Sequence, residues 1–507
     1  MPINQFDTIV VGGGGSGLAA AVAAAEKGAK VLLLEKTPEL GGTTGIAVGS
    51  FTANRTVYQQ REGITDSPDD HEQDAAKFGP PEIQAQNNSE LRRFFLEHAN
   101  DTLNWLTGMG LAFHGPSPEP PNRVPRMHNV VPNAKAYIAT LHSRLLRFGG
   151  QIHCDCPVEE LVREEGRVVG VVARLAGEST TFRATRGVVL AAGDYANSSE
   201  MIGRHKGQEF TSIEGINVHS TGDGHRLAEQ AGAALLNMAV TYGPELRFIP
   251  PPRKPFTQLL PASGPLARIM GMMLPVVPRA IINVMVKRLL VTWQHPENAL
   301  FDDGAILLNQ RGERFCNETA SPSREIGIAE QQDKFSYILL DQRLVEHYSK
   351  WPHFISTAPE IAYAYVKDYL RLRSDVTVQA NSLAELAKIR NMPPDILQAT
   401  IDQFNRYASG DQADPFGRRG DTERLDGHRW VLLGPVKAYF TTTEGGTAID
   451  QQLRVLDREN KPIEGLYAAG QNGLGGQVLW GHGLHIAWAI TSGRLVGQQL
   501  AGSQTAE

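Results

Sequence analysis

At 507 residues, 41% hydrophobic and 21% charged, the chain has a globular composition and is too long for one core. This points to two domains, one inserted in the other. A net charge of −6 gives no electrostatic reason to bind nucleic acid. Cys154, Cys156 and Cys316 make no even disulfide framework and read as reduced thiols of a cytosolic protein. There is no CxxCH site for a c-type haem, and no metal is expected.

The first strand, Ile9 to Val11, begins within ten residues of Met1, so no signal peptide is expected. Gly12-x-Gly14-x-x-Gly17 follows, with the tight turn, close backbone approach and helix packing that a pyrophosphate requires. Ser16 to Glu26 reads as a small-residue helix whose first N–H groups point at phosphates. Val31 to Leu34 is the second strand, and Glu35 at its end can hold both ribose hydroxyls. The glycine pattern alone is weak. Strand, turn, helix, strand and acid in this order mark an adenine dinucleotide site.

Gly41-Gly42-Thr43-Thr44 and its continuation to Ser50 allow close approach to a flat ring or a phosphate. Residues 60–87 read as a polar surface excursion, and Asn88 or Ser89 caps a helix running to about Thr107. Residues 114–132 read as a proline-rich loop, and Ala134 to Phe148 as an amphipathic helix closed by Gly149-Gly150. Extended segments follow at 151–154 and 158–162, and the latter pairs with Val168–Val172 through a turn at Glu165-Gly166. Gly187 to Gly193 is a further strand. Asp223 stands where it caps a helix over 226–234.

Residues 244–296 change character, with a rigid linker at Ile249 to Pro255 and an apolar Met-rich run from Met270 to Met285. Pro275, Pro278 and Arg279 interrupt that run and argue against a transmembrane helix. The plain reading is an internal element of a cap. The sharper one is an apolar entrance, or a surface that rests on membrane. Residues 304–318 read as strand, turn and return, 335–340 as a strand, and 359–408 as largely helical. Gly465 to Gly470 is a strand running into a turn, and Leu484 to Leu500 a final helix.

The N-terminal glycine motif with Glu35, the Gly41-Gly42-Thr-Thr loop, Gly222-Asp223-Gly224, Gly312-x-Arg314-Phe315-x-Asn317-Glu318, Gly445-Gly446, Gly465 to Gly470 and Ser492-Gly-Arg494 together resemble one family. It is the flavoprotein superfamily of fumarate reductases and 3-ketosteroid dehydrogenases, and the resemblance covers nearly the whole chain. It implies an α/β fold, with a Rossmann-like FAD-binding domain of the glutathione-reductase type and an inserted α+β capping domain. FAD binding would fall to residues 1–243 and 441–507, and capping to residues 244–440. The attachment histidine of covalent members is replaced in Thr43-Thr44-Gly45-Ile46, so the FAD is expected to be non-covalent. The resemblance assigns the cofactor to Gly12, Gly14, Ser16, Gly17, Glu35, Lys36, Gly42, Thr43, Thr44, Gly49, Val158, Ala192, Gly193, Asp223, Gly470, Gln471, Leu484 and Ile486. The final helix would aim its N–H groups at the flavin pyrimidine carbonyl.

Fumarate reductases hold a dicarboxylate with two histidines and an arginine. Here Thr441-Thr442-Thr443, Tyr242-Gly243-Pro244 and Trp480 stand in those places, and Arg324 is two residues out of step with the proton-transferring arginine. Ketosteroid dehydrogenases polarise a ketone from the last glycine-rich loop, where His482 falls. Their base tyrosine is replaced by Ser321-Pro-Ser-Arg324, which leaves Arg324, Ser323, His482 and Tyr242 as candidates for the proton. His485 is expected to be structural or flavin-contacting, and His128 and His295 ordinary polar residues. The resemblance thus implies a dehydrogenase that desaturates a hydrophobic cyclic ketone, with a small apolar substrate and a separate electron acceptor or donor. The alternatives are an ene reductase with Arg324 or His482 as acid, and an electron-transferring flavin subunit. A cytoplasmic, possibly membrane-associated, location completes these expectations.

Overall fold

A computed structural model describes residues 4–252, 260–273, 279–358, 361–419 and 422–502. Part of the proline linker and of the Met-rich run, residues 253–255 and 274–278, therefore lies outside the described residues. Strand β1 (Gln5–Val11), helix α1 (Gly15–Glu26) and strand β2 (Val31–Leu34) form the opening unit, with β1 and β2 parallel and Val11 opposite Leu34. Every β2 residue is buried, as befits a strand covered on both faces.

The main sheet has eight strands, in the order 454–456, 462–468, 178–190, β1, β2, 151–153, with the 158–164 and 167–175 hairpin attached to 178–190. Its strand over 178–190 is much longer than the expected 187–193, because its first half closes that hairpin. Helix α1 packs on the terminal helix Leu484–Gly502 at very short range. A Cβ on Gly493 would lie 2.2 Å from Ser16 O, so the small residues of both helices are what lets them meet.

A second sheet has six strands: 214–215, 430–440, 336–340 and 306–308 in order, with 245–248 and 377–380 also paired to 430–440. One hydrophobic core draws on residues from Phe6 to Ala233 and from Ile449 to Leu500, and a second on residues from Leu246 to Val436. A third, smaller cluster includes Tyr195, Met238, Ala329 and Phe440.

Several local expectations are corrected. The proline-rich stretch 114–132 contributes to strands Ala112–Ser117 and Met127–Val131 of a three-stranded sheet, because Met127–Val131 pairs with both Ser50–Thr52 and Ala112–Ser117 despite the prolines. The return after the 310–312 turn is irregular, and strand Ile306–Leu308 pairs with Ser336–Leu340 instead. Within 359–408, strands Ala362–Ala364 and Thr377–Ala380 interrupt the helices. The apolar run is not wholly internal: Met273 and Val284 are exposed on helices Pro265–Met273 and Arg279–Trp293, as are Leu266 and Ile269 just before the run. Among the described residues, no helix is long and apolar enough to cross a membrane.

Candidate active site

The nucleotide cradle is built where β1 runs into α1. Gly12 has φ +110, and a Cβ on Gly17 would lie 1.9 Å from Gly12 O, so both positions need glycine. The start of α1 is buried and its N-cap, Gly14, supplies no side-chain hydrogen bond. The helix therefore presents buried N–H groups without a side-chain cap, an arrangement an anionic pyrophosphate satisfies. Helix α2 (Gly42–Ile46) starts in the same way at Gly41, whose N–H donates to Gly13 O.

Glu35 is buried at the end of β2, where Oε2 accepts from Gly13 N at 2.6 Å and Oε1 from Thr37 N at 2.8 Å. Lys36 pairs with Asp223 at 2.5 Å, and Asp223 is also bonded by Thr221 and Arg226. The helix there runs from Asp223 to Gln230 with Gly222 as N-cap, so Asp223 does not cap it. Its carboxylate binds three side chains instead. Thr43 Oγ1 accepts from Asn217, Tyr137 donates to Gly49 O, Ala192 N donates to Asn472, and Gly470 N to Ser492 Oγ. Gly193 has φ +81, Val158 opens a strand, and Leu484 and Ile486 lie at the start of the terminal helix. A buried, glycine-lined floor, an uncapped helix start and an acid at the strand end fit FAD.

The reacting region gathers around the last glycine-rich loop, which is fixed at two points by histidine–carboxylate pairs. Glu119, almost wholly buried, accepts from both His482 N (2.8 Å) and His482 Nδ1 (2.5 Å) through Oε1. Glu444, fully buried, accepts from Leu479 N at 3.1 Å and pairs with His485 Nε2 at 2.7 Å. Thr52 Oγ1 also donates to His482 O. The His482 side chain stays open, with 53% of its surface accessible. Burial lowers its pKa, but the hydrogen bond and charge of Glu119, with the charge of Glu245, outweigh burial and hold it above the ordinary value.

Tyr242 sits edge-on to Trp480, 5.7 Å between ring centres, and 6.3 Å from the His485 ring. Its position follows from a two-residue ladder that pairs it with Thr442. Burial first, then the charge of Glu245, pushes its phenol well above the usual range. Two buried polar atoms here have no partner among the described residues: Trp480 Nε1 and Gln471 Oε1. Such atoms are what a polar ring or carbonyl can satisfy. Gln471 Nε2 itself donates to Thr442 Oγ1 and Thr443 O.

Tyr242, Trp480 and His482 are thus brought to one region, but Arg324 and Ser323 are not joined to them by hydrogen bonds. Arg324 is buried in the second unit, where it donates to Glu325 Oε1, Glu318 O and Asn298 Oδ1 and lies 4.6 Å from the Phe301 ring centre. This guanidinium is engaged by those partners, while its charge also reaches His295. Ser323 is exposed at the start of helix Ser323–Ala329.

Sequence reasoning missed Glu119, Glu245, Arg247 and Glu444, and took His295 for an ordinary polar residue. Arg247 donates to Glu245 at 2.9 Å, and Thr441 Oγ1 to the same carboxylate at 3.2 Å. Burial lowers the pKa of His295, Arg247, His482 and Arg324 lower it further, and Glu245 opposes them, which places His295 among these charges. His128 is ordinary, bonded to Thr56 Oγ1 at 3.0 Å in the interior. Only Glu444 carried a sequence signal, as an acid directly before the Gly445-Gly446 pair.

The FAD binding domain family matches residues 7–255 and 272–478. The chain is 26% identical to the Fumarate reductase (cytochrome) of Shewanella frigidimarina, over 99% of this chain and 78% of that protein. It is also 26% identical to the vinyl phenol reductase of Lactiplantibacillus plantarum, over 98% of this chain and 97% of that one. Its fold is similar to the crystal structure of 3-ketosteroid-Δ4-(5α)-dehydrogenase from Rhodococcus jostii RHA1, with TM-score 0.59, 24% identity, and 98% and 97% of the two chains covered.

Proposed function

The chain belongs to the FAD binding domain family and is an FAD-dependent oxidoreductase of CH–CH bonds, and on that premise we propose that it reduces an activated alkene conjugated to an uncharged carbonyl. Residues 244–440 serve as the cap over a cofactor domain made of 1–243 and 441–507. When bound and reduced, FAD supplies the hydride for the β carbon. The proton for the α carbon comes from His482. With Nδ1 engaged by Glu119, Nε2 is the nitrogen left to exchange a proton.

The observation that carries this reading is the Glu119–His482 pair, which holds the imidazole pKa above its ordinary value. Tyr242 is held as a neutral phenol in the same region, ready to donate a hydrogen bond to the carbonyl oxygen. A desaturase needs an unprotonated base at the α carbon. A raised pKa suits His482 to giving a proton more than to taking one, which favours the reductive direction over the ketone desaturation that the family resemblance first suggests. The substrate is uncharged because Arg247 and Arg324 are each paired with a carboxylate already. Burying a further carboxylate beside Trp480 and Tyr242 costs several kcal/mol. The similarity to a fumarate reductase and to a vinyl phenol reductase supports alkene reduction, and the second of these names an uncharged alkene.

Anaerobic mixing of the reduced holoenzyme with a cyclic enone or with fumarate tests this. The enone is expected to reoxidise the flavin faster than fumarate does. It is also expected to outpace dye reduction by the oxidised enzyme with the saturated ketone. Faster reaction with fumarate overturns the uncharged substrate, and faster dye reduction by the ketone overturns the direction.

A further inference from the structure

Within the second unit, three metal-ligating side chains converge outside the cleft chemistry. Asp303 follows helix Ala299–Asp302, His347 ends helix Gln342–His347, and His353 lies on the loop beyond it. We propose that Asp303, His347 and His353 form a site for one divalent transition-metal ion, with zinc the ion whose ligand preferences they match.

One ligand atom from each residue lies within 4.8 Å of the others. His347 Nε2 is 3.6 Å and His353 Nδ1 4.0 Å from Asp303 Oδ2. These separations are too long for hydrogen bonds. They are close to the spacing of atoms that share one ion, since about 2.0–2.2 Å bonds at a tetrahedral angle put ligands roughly 3.3–3.6 Å apart. Neither ring makes a hydrogen bond among the described residues, although both are only half-exposed. The two rings are tilted by 32° with 3.6 Å between centres, and one nitrogen of each approaches the same carboxylate oxygen.

The carboxylate is also positioned. Tyr348 OH donates to Asp303 Oδ2 at 2.7 Å, and Arg343 holds the Asp303 carbonyl at 2.8 Å. An outer hydrogen bond of this kind orients a metal-binding carboxylate. Asp302 and Glu297 add negative charge nearby, and Arg343 and Lys350 oppose it. Two imidazoles and one carboxylate leave the fourth tetrahedral position to water, a donor set that suits zinc better than magnesium or calcium. A bound ion would tie the loop carrying His353 to the helix ends at Asp303 and His347.

Calorimetric titration of chelator-stripped, FAD-loaded enzyme with zinc chloride is expected to show one site per chain. The substitutions His347→Gln and His353→Gln should each weaken it at least about tenfold, while flavin absorbance and enone turnover stay unchanged. Absence of a one-to-one site, or wild-type affinity in either variant, overturns the proposal. A second measurement needs no variant. Zinc should protect His347 and His353 of the wild-type holoenzyme from diethyl pyrocarbonate, read by peptide mass mapping, and equal labelling with and without zinc also overturns it.

Discussion

Replacement of His482 by Ala is expected to lower kcat for enone reduction roughly 10²–10⁴-fold, the usual contribution of a positioned general acid, and to leave FAD bound. The loss follows from removing the imidazole whose pKa Glu119 raises, and whose Nε2 is left for a substrate once Nδ1 is engaged. Retention of the cofactor follows because the backbone anchors of the loop do not involve the side chain. His482 N still donates to Glu119, and Thr52 still donates to the carbonyl of residue 482. The nucleotide cradle at β1, α1 and Glu35 is untouched. Steady-state turnover beside the visible flavin spectrum of the purified variant decides the matter. Unchanged turnover contradicts the assignment.

The second large effect is on stability. The Arg126 side chain is wholly inaccessible, with Nη1 2.6 Å from Asp74 Oδ2 and Nη2 2.7 Å from Asp66 Oδ1. Arg126→Met removes one cation and leaves two buried carboxylates short of a partner, which costs about 3–5 kcal/mol. Burial alone raises the pKa of Asp74, but hydrogen bonds from Lys77, Arg123 and Arg126 prevail and hold it well below the ordinary carboxylate range. A depressed native pKa means that this stabilisation is present above the unfolded value, about pH 4, and is lost as pH falls below it. The urea midpoint of the wild type should therefore drop on acidification, and that of Arg126→Met should be low at pH 7 and fall less. A variant as stable as wild type at pH 7 contradicts this account. The same network anchors the loop between the strands at 112–117 and 127–131, on which Glu119 lies, so it also steadies the proton-donating pair.

What could be read in the sequence is what is local. The β1, α1, β2 and Glu35 unit is contiguous, and each residue's role depends on neighbours within thirty positions. Trp480 and His482 were legible as members of a loop whose place the resemblance supplied. Glu119 was not, because it sits in a run of prolines and its partner lies 363 residues away. Glu245 and Arg247 were hidden for another reason. They alternate on one short strand, and only that strand's pairing with residues 436–439 sets them beside Thr441. Arg324 looked available because its position approximates a proton-transferring arginine. The adjacent Glu325, equally visible in sequence, occupies it. Asp223 looked like a cap, but Gly222 with φ +77 starts the helix and frees the carboxylate for Lys36.

The pH dependence of flavin reoxidation by a cyclic enone, in single turnovers of the reduced wild type and of Glu119→Gln, tests the proton-donating pair most directly. A donor whose pKa is raised stays protonated to higher pH, so the wild-type rate should be high below the His482 pKa and fall above it. Without the Glu119 carboxylate that falling limb is predicted to move to lower pH, with FAD still bound. The same limb in both proteins would contradict the account.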